Sequence, residues 1–292
     1  MKSIISYPNR GSWGDNKYRG NCSGHVIMDL LEYFQPEKFV EVFAGGGTGF
    51  DVARSMGYNN SIHLDLNGRF GTPFNALTDP LPTGSDFVFS HPPYHDIVQY
   101  SGNVWGDSHP DDLSKCRSYV EFIHKLNIVN AKIFNSLVNG GRHATLVGDV
   151  RKNGVYYSLM KDMAFYGDLE SHIIKAQHNC HSDRQTYSNT FIPIVHEHLI
   201  ILRKNQVWAI PIAATKRVIK NIKDSALATW RDLVQAALQQ LKGTAKLADL
   251  YELLQDTEKA KGNVNFKAKI RQVLQLHDEF EAIDRGIWRL TY

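Results

Sequence analysis

Two short stretches carry residue types whose order could support chemistry. One is Ser90-His91-Pro92-Pro93-Tyr94, closing the apolar run Asp86-Phe87-Val88-Phe89. The other is Phe43-Ala44-Gly45-Gly46-Gly47-Thr48-Gly49, closing Phe39-Val40-Glu41-Val42. Each reads as a buried strand that delivers a turn. In the first, Pro93 pushes Pro92 into an extended conformation, and neither proline has an N–H. The corner is therefore rigid, ends on an aromatic ring and leaves its carbonyls unclaimed by a helix or ladder. In the second, glycines admit positive φ and let the backbone approach a ligand, with a helix expected from Phe50 to Met56. Open α/β sheets bind ligands at the carboxyl ends of their strands, where both turns would lie.

Either stretch alone is unspecific: glycine turns serve many nucleotide-binding folds, and Pro-Pro-Tyr is commonly just a turn. In this order and separation the pair resembles the amino-methylating DNA methyltransferases. Their first motif, Phe-x-Gly-x-Gly, is matched by Phe43, Gly45 and Gly47. Their catalytic motif, Asp/Asn/Ser-Pro-Pro-aromatic, is matched except at its first position, where this chain has His91. The resemblance implies a doubly wound, Rossmann-like α/β sheet and S-adenosylmethionine (AdoMet) as cofactor. It implies site-specific methylation of an exocyclic base amino group, by an orphan methylase or one of a restriction-modification pair. Such a nitrogen is a poor nucleophile, because its lone pair is delocalised into the ring. The family holds both amino hydrogens, one on the motif's first side chain and one on the following proline carbonyl, here Pro92. The aromatic residue, here Tyr94, stacks on the flipped base. A neutral His91 can accept through one ring nitrogen, and Ser90 could reach inwards instead. Within the family, Asp or Asn leans to adenine and Ser to cytosine. His91 points to neither, so adenine N6 is expected on family frequency, with N4 of cytosine as the alternative. An RNA or protein methyltransferase, or a catalytically degenerate DNA-binding regulator, would share many of these features.

Cofactor contacts are expected around the glycine turn, at Glu41, Phe43, Ala44, Gly45, Gly47 and Thr48. Ser61-Ile62-His63-Leu64-Asp65-Leu66 reads as a second strand ending in an acid, and Asp65 could accept hydrogen bonds from a ribose diol. Asp79 is a candidate for the adenine of the cofactor, or a turn residue before Pro80. Residues 1–25 have loop chemistry. In the family a segment packed beside the first motif holds the methionyl end of the cofactor, which the resemblance places at Asn21, Cys22 and Ser23; a plain surface loop is the alternative. No metal is expected. His178, Cys180 and His181 invite a zinc reading, but no paired Cys/His set elsewhere supplies the remaining ligands.

These residues need a scaffold, and the chain has the length for one. Its 292 residues suggest one large or two modest domains. No apolar run approaches a membrane span, and the amino terminus is too short and polar for a signal peptide. Three widely spaced cysteines argue against a disulfide framework and for a reducing compartment, expected to be the bacterial cytoplasm or nucleoid. Further helices are expected from His25 to Phe34 and from Arg117 to Leu137. Asn139-Gly140-Gly141 reads as a C-cap ahead of a strand from Arg142 to Val150. Val195 to Lys204 looks like the late strand that closes these methyltransferase sheets. The loop after the corner, His95 to Asp112, is long and polar enough to cover or contact substrate.

The net charge of +3 hides an asymmetry. Residues 203–292 hold 16 Lys/Arg against 10 Asp/Glu, and the remainder 17 against 20. A basic carboxyl-terminal third suggests a polyanionic partner, here double-stranded DNA. The expected organisation is a methyltransferase domain over 1–204, a connecting segment over 205–228 and a winged helix-turn-helix-like domain over 229–292. Three helices (Trp230 to Leu241, Leu247 to Leu254, Phe266 to His277) and a terminal hairpin would build the last. On its third helix Lys267, Arg271 and Gln275 share a face. Lys269, Gln272 and Arg285 complete the expected DNA contacts. A homodimer is one open assembly.

Overall fold

The computed structural model describes residues 1–178, 192–205 and 228–291. Nearly all of the expected connecting segment, and Cys180 and His181 of the polar loop at 177–190, lie outside them. The chain divides into two compact units. The first comprises Met1–Leu81, Phe87–Phe134 and Arg142–Arg203. The second comprises Pro82–Asp86, Asn135–Gly141 and Lys204–Tyr292.

The α/β class expected from the sequence is observed. Strands β1 (Ile4–Ser6), β2 (Phe39–Val42), β3 (Ile62–Leu64), β4 (Ser85–Ser90), β5 (Leu137–Val147), β8 (Asp168–Ala176) and β9 (His196–Arg203) form one sheet, in the order β1-β8-β9-β5-β4-β2-β3. β2 pairs in parallel with β3 on one side and β4 on the other. The chain thus reverses its winding about β2, and a crevice opens beyond the carboxyl ends of β2 and β4. β9 is the reversed strand, antiparallel to both β5 and β8. Its continuous apolar run Leu199-Ile200-Ile201-Leu202 is buried throughout, as for a strand covered on both faces. Helices α1 (Gly24–Phe34), α2 (Thr48–Ser55), α3 (Tyr119–Ser136) and the short α4 (Leu159–Asp162) flank the sheet strands in sequence, and β6 (Val150–Lys152) and β7 (Val155–Tyr157) form a small separate hairpin. Phe39, Phe87 and Phe89 anchor the core; burying each contributes about 2–3 kcal/mol.

One expectation is corrected. Asn139-Gly140-Gly141 is no helix cap: α3 ends at Ser136 and β5 begins at the next residue. Gly140 takes φ +86°, and its N–H donates to the Lys204 carbonyl at 2.6 Å. A β-carbon on Gly141 would lie 2.9 Å from the Val138 carbonyl oxygen. The glycines therefore serve a bent strand start that approaches neighbouring backbone closely.

In the second unit, α5 (Trp230–Gln240), β10 (Thr244–Lys246), α6 (Leu247–Leu254), α8 (Phe266–Leu276), β11 (Phe280–Asp284) and β12 (Ile287–Leu290) share a core that includes Leu238, Leu250, Ile270 and Leu290, and the short α7 (Glu258–Lys261) lies between α6 and α8 in sequence. β10, β12 and β11 make an antiparallel three-stranded sheet in that order. β10 and α7 are additions to the elements expected. Thr229 caps α5, and Asp232 completes the capping box. The same carboxylate accepts the Asn139 N–H at 3.1 and 3.0 Å. No helix among the described residues is long and apolar enough to cross a membrane.

Candidate active site

The two sequence stretches meet at one cavity in the first unit, about 810 Å³ counting its open mouth. That is the size of a small-ligand site. Its floor is the end of β2 and the turn that follows: Glu41, Phe43, Ala44, Gly45 and Thr48. Asp65 stands at one side, and His91 and Pro93 at another. Asn21 and Cys22 also line it, whereas Ser23, Gly47, Asp79, Pro92 and Tyr94 do not.

Local geometry explains these positions. Phe43, a non-glycine residue, is held at φ +66° where β2 hands over to the turn. Such a conformation costs of order 1 kcal/mol and persists only when its surroundings impose it. The Asp65 carboxylate accepts the Gly45 N–H at 2.7 Å through one oxygen and the Asn67 N–H at 2.9 Å through the other. It braces the glycine turn and keeps lone pairs on both oxygens. Burial, opposed by those two bonds, pushes its carboxyl up to about 6. Glu41 is buried and tied to His63 Nδ1 at 2.6 Å. A β-carbon on Gly49 would collide with the Glu41 carboxylate, so that glycine lets α2 sit over β2. Gly47 has φ +87° as the N-cap of α2; its contribution is conformational.

The N-terminal loop closes over the turn. Asp15 N–H donates to the Gly46 carbonyl at 2.8 Å, and the Asn21 amide to the Asp15 carbonyl at 2.5 Å. Ser23 donates to the Arg10 carbonyl at 3.4 Å, and Arg10 donates to Thr48 Oγ1 at 3.3 Å. Burial pushes the Cys22 thiol up to about 12, so it is no thiolate nucleophile at neutral pH.

The loop from His95 to Asp112, expected to cover or contact substrate, does line the cavity through Tyr100, Trp105, Asp111 and Asp112, whereas Tyr18 and Asn75 were not among the expected contacts. Tyr18 and Tyr100, from the loops before and after the motifs, stack with ring centroids 5.8 Å apart. Asn75 takes the lining position expected for Asp79. Its amide donates to Asp111 at 2.7 Å, while Asp79 accepts the Asn75 backbone N–H at 2.8 Å as a turn residue would. Asp112 organises the loop after the corner, accepting N–H and O–H bonds from both Ser101 and Ser114 at 2.7–2.9 Å. Turn chemistry at Asn75 was visible; the contact with Asp111, 36 residues on, was not.

At the corner, His91 Nε2 lies 2.9 Å from the Tyr94 hydroxyl. That hydroxyl donates to Glu197 Oε1 at 2.6 Å, and Lys175 donates to Glu197 Oε2 at 2.5 Å. Burial pushes the His91 imidazole down to about 4, against the pull of Glu197. Burial would raise the Glu197 carboxyl, but Lys175 and His91 outweigh it and hold it below its ordinary range. No donor among the described residues claims the Pro92 carbonyl. Ser90 does not reach inwards: its hydroxyl bonds buried His143 Nε2 at 2.7 Å.

The six residues expected to meet DNA are all exposed. Lys269 bonds Gln272 at 2.9 Å, Arg271 donates to the Tyr251 hydroxyl at 3.3 Å, and Lys267 lies over the Tyr251 ring. Among the described residues, no group of three or more His, Cys, Asp or Glu side chains is arranged to hold a metal ion.

No protein-family model matches the chain, and no curated protein matches it. Several solved structures are similar to it. TrmN from Thermus thermophilus is 16% identical at a TM-score of 0.40, over 64% of this chain and 50% of that one. The candidate DNA modification methylase TTHA0409, also from Thermus thermophilus and complexed with S-adenosyl-L-methionine, is 20% identical at 0.31, over 61% and 73%. Human N-acetylserotonin methyltransferase in complex with SAM is 13% identical at 0.33, over 63% and 52%. The chain spans half the length of TrmN.

Proposed function

We propose that the chain is an AdoMet-dependent methyltransferase acting on an exocyclic amino group of a nucleic-acid base, adenine N6 in duplex DNA first. The observation that carries this reading is the convergence of the glycine turn, Asp65, His91 and Pro93 on one cavity. The cavity fits the cofactor chemically. Ala44 and Gly45 offer close backbone approach, Asp65 has lone pairs for a ribose diol, and Asn75 with Asp111 offers polar edges for a base. Tyr18 and Tyr100 supply apolar walls. When bound there, AdoMet supplies the electrophilic methyl group.

The chain's own residues do the rest. Pro92 keeps an unclaimed carbonyl for one amino hydrogen. His91, neutral at physiological pH, offers a ring nitrogen for the other. Holding both hydrogens steers the nitrogen towards tetrahedral geometry and orients its lone pair. Tyr94 contributes a half-buried ring at the same corner, a stacking surface for a flipped base. The duplex reading draws on the exposed Lys267, Arg271 and Gln275 face of α8 and on a four-helix, three-strand unit that resembles a winged helix.

Incubation with tritiated AdoMet and duplex DNA, RNA or protein in parallel, followed by nucleoside analysis, tests the reading. N6-methyladenine from the DNA arm is expected. Label confined to RNA or protein would move the substrate class, and no cofactor binding at all would remove the assignment.

A further inference from the structure

The geometry assigns Glu197 and Lys175 as positioning residues that fix the His91 tautomer, so that Nε2 carries the proton and Nδ1 is a hydrogen-bond acceptor. Its chemical use rests on the methyltransferase reading; the tautomer itself rests on hydrogen-bond arithmetic.

Lys175 has only donors, and it bonds Glu197 Oε2 at 2.5 Å. Both side chains are about nine-tenths buried. Glu197 is thereby kept ionised, and an ionised carboxylate can only accept. The Tyr94 hydroxyl, 2.6 Å from Oε1, must therefore donate its single hydrogen to Glu197. What remains on the phenol oxygen is lone pair. His91 Nε2, 2.9 Å away, can only donate to it. A neutral imidazole with its proton on Nε2 has a bare Nδ1. Among the described residues no partner occupies Nδ1, and His91 is one of the residues that line the cavity. The polarity of the chain is thus set at Lys175, on β8, and passed through Glu197, on β9, to the corner. An acceptor is what an amino hydrogen requires, and aspartate or asparagine would supply one without help. Histidine is ambiguous, so it needs a relay to choose its nitrogen.

The test uses the full-length protein labelled with nitrogen-15 at histidine. Long-range proton–nitrogen spectra report each imidazole's tautomer, and His91→Gln identifies the His91 signals by their loss. The expected wild-type pattern is Nε2–H with a pyridine-like Nδ1 near neutral pH. Glu197→Gln should invert it. Lys175 would hold the amide oxygen, the amide nitrogen would donate to Tyr94, and the phenol would donate to Nε2 and drive the proton to Nδ1. Tyr94→Phe serves if Glu197→Gln fails to fold: it removes the acceptor and should yield a tautomer mixture. Wild-type His91 as Nδ1–H or as imidazolium, or a tautomer unmoved by either variant, overturns the assignment. With the tautomer inverted, kcat of Glu197→Gln should fall on the order of a hundredfold, the scale for losing one preorganised hydrogen bond, with AdoMet affinity unchanged. An inverted tautomer in a protein whose wild type transfers no methyl group would retain the relay and remove the methyltransferase reading. Transfer by a wild type carrying Nδ1–H would do the reverse.

Discussion

The Gly45 N–H points at the Asp65 carboxylate from 2.7 Å, so the residue at the end of β3 braces the turn at the end of β2. Burial raises this carboxyl to about 6, which gives cofactor binding a sign with pH. Ribose hydroxyls donate to the ionised form. Falling pH protonates Asp65 and weakens binding; rising pH restores it. About one pH unit below that value, AdoMet affinity should be about tenfold weaker than at neutrality, and Asp65→Asn should be weak and flat across the range. Calorimetry between about pH 5 and 7.5 measures this. A flat wild-type profile would restrict Asp65 to bracing.

Gly47 caps α2 at φ +87°, with a β-carbon position 3.2 Å from Phe70 Cζ. A branched side chain disfavours that conformation by about 1–2 kcal/mol and must displace the ring. Gly47→Val should remain folded by circular dichroism and lose AdoMet affinity tenfold or more, on the order of 1.4 kcal/mol. Unchanged affinity in the folded variant would show that the turn does not shape the cofactor site.

His143 is 2% exposed and bonded to Ser90, and burial pushes its imidazole down to about 3. The unfolded chain takes up this proton below its ordinary value of 6.5, while the folded chain does not. Stability is therefore full above that value and is lost as pH falls towards 3. At about pH 4.5 the group should have cost about 2–3 kcal/mol. Urea titrations should show wild type losing that much more than His143→Gln on acidification from neutrality. Parallel losses would mean that His143 is protonated in the fold.

The exposed face of α8 makes a separable prediction in the full-length protein. Lys267→Ala should lower the magnitude of the salt slope of duplex binding by about 0.9, the contribution of one phosphate contact. Arg271→Ala should cost about 1–3 kcal/mol of sequence preference, with Gln275→Ala acting in the same direction. Fluorescence anisotropy on matched duplexes across salt concentrations reads both. Unchanged slopes and preferences would turn this unit into a protein-contact or dimerisation module.

Much of the scaffold was legible because its signals are local. The glycine turn after β2, the Pro-Pro corner after β4, the apolar period of α1 and α3 and the apolar run of β9 all follow from neighbouring residues; the reversal of β9 does not. So do α6, read at Leu247–Leu254, and the hairpin of β11 and β12. Asn139-Gly140-Gly141 misled because glycines at a helix cap and at a bent strand start look alike in sequence. Only pairing with Lys204 separates the two.

The sequence by itself determined which residues could do chemistry: a turn that only glycine tolerates, and a corner whose prolines cannot donate. Tertiary structure alone decided which partners those residues have. Tyr94 and Glu197 are 103 positions apart, and Gly45 and Asp65 are 20. Asn75 lines the cavity and donates to Asp111, 36 residues on, a contact no local pattern announces. His91 is ambiguous in isolation, as any imidazole is, since either nitrogen can hold the proton. The choice is made by groups on strands folded against it, because a buried hydrogen bond has one direction and its neighbours set it.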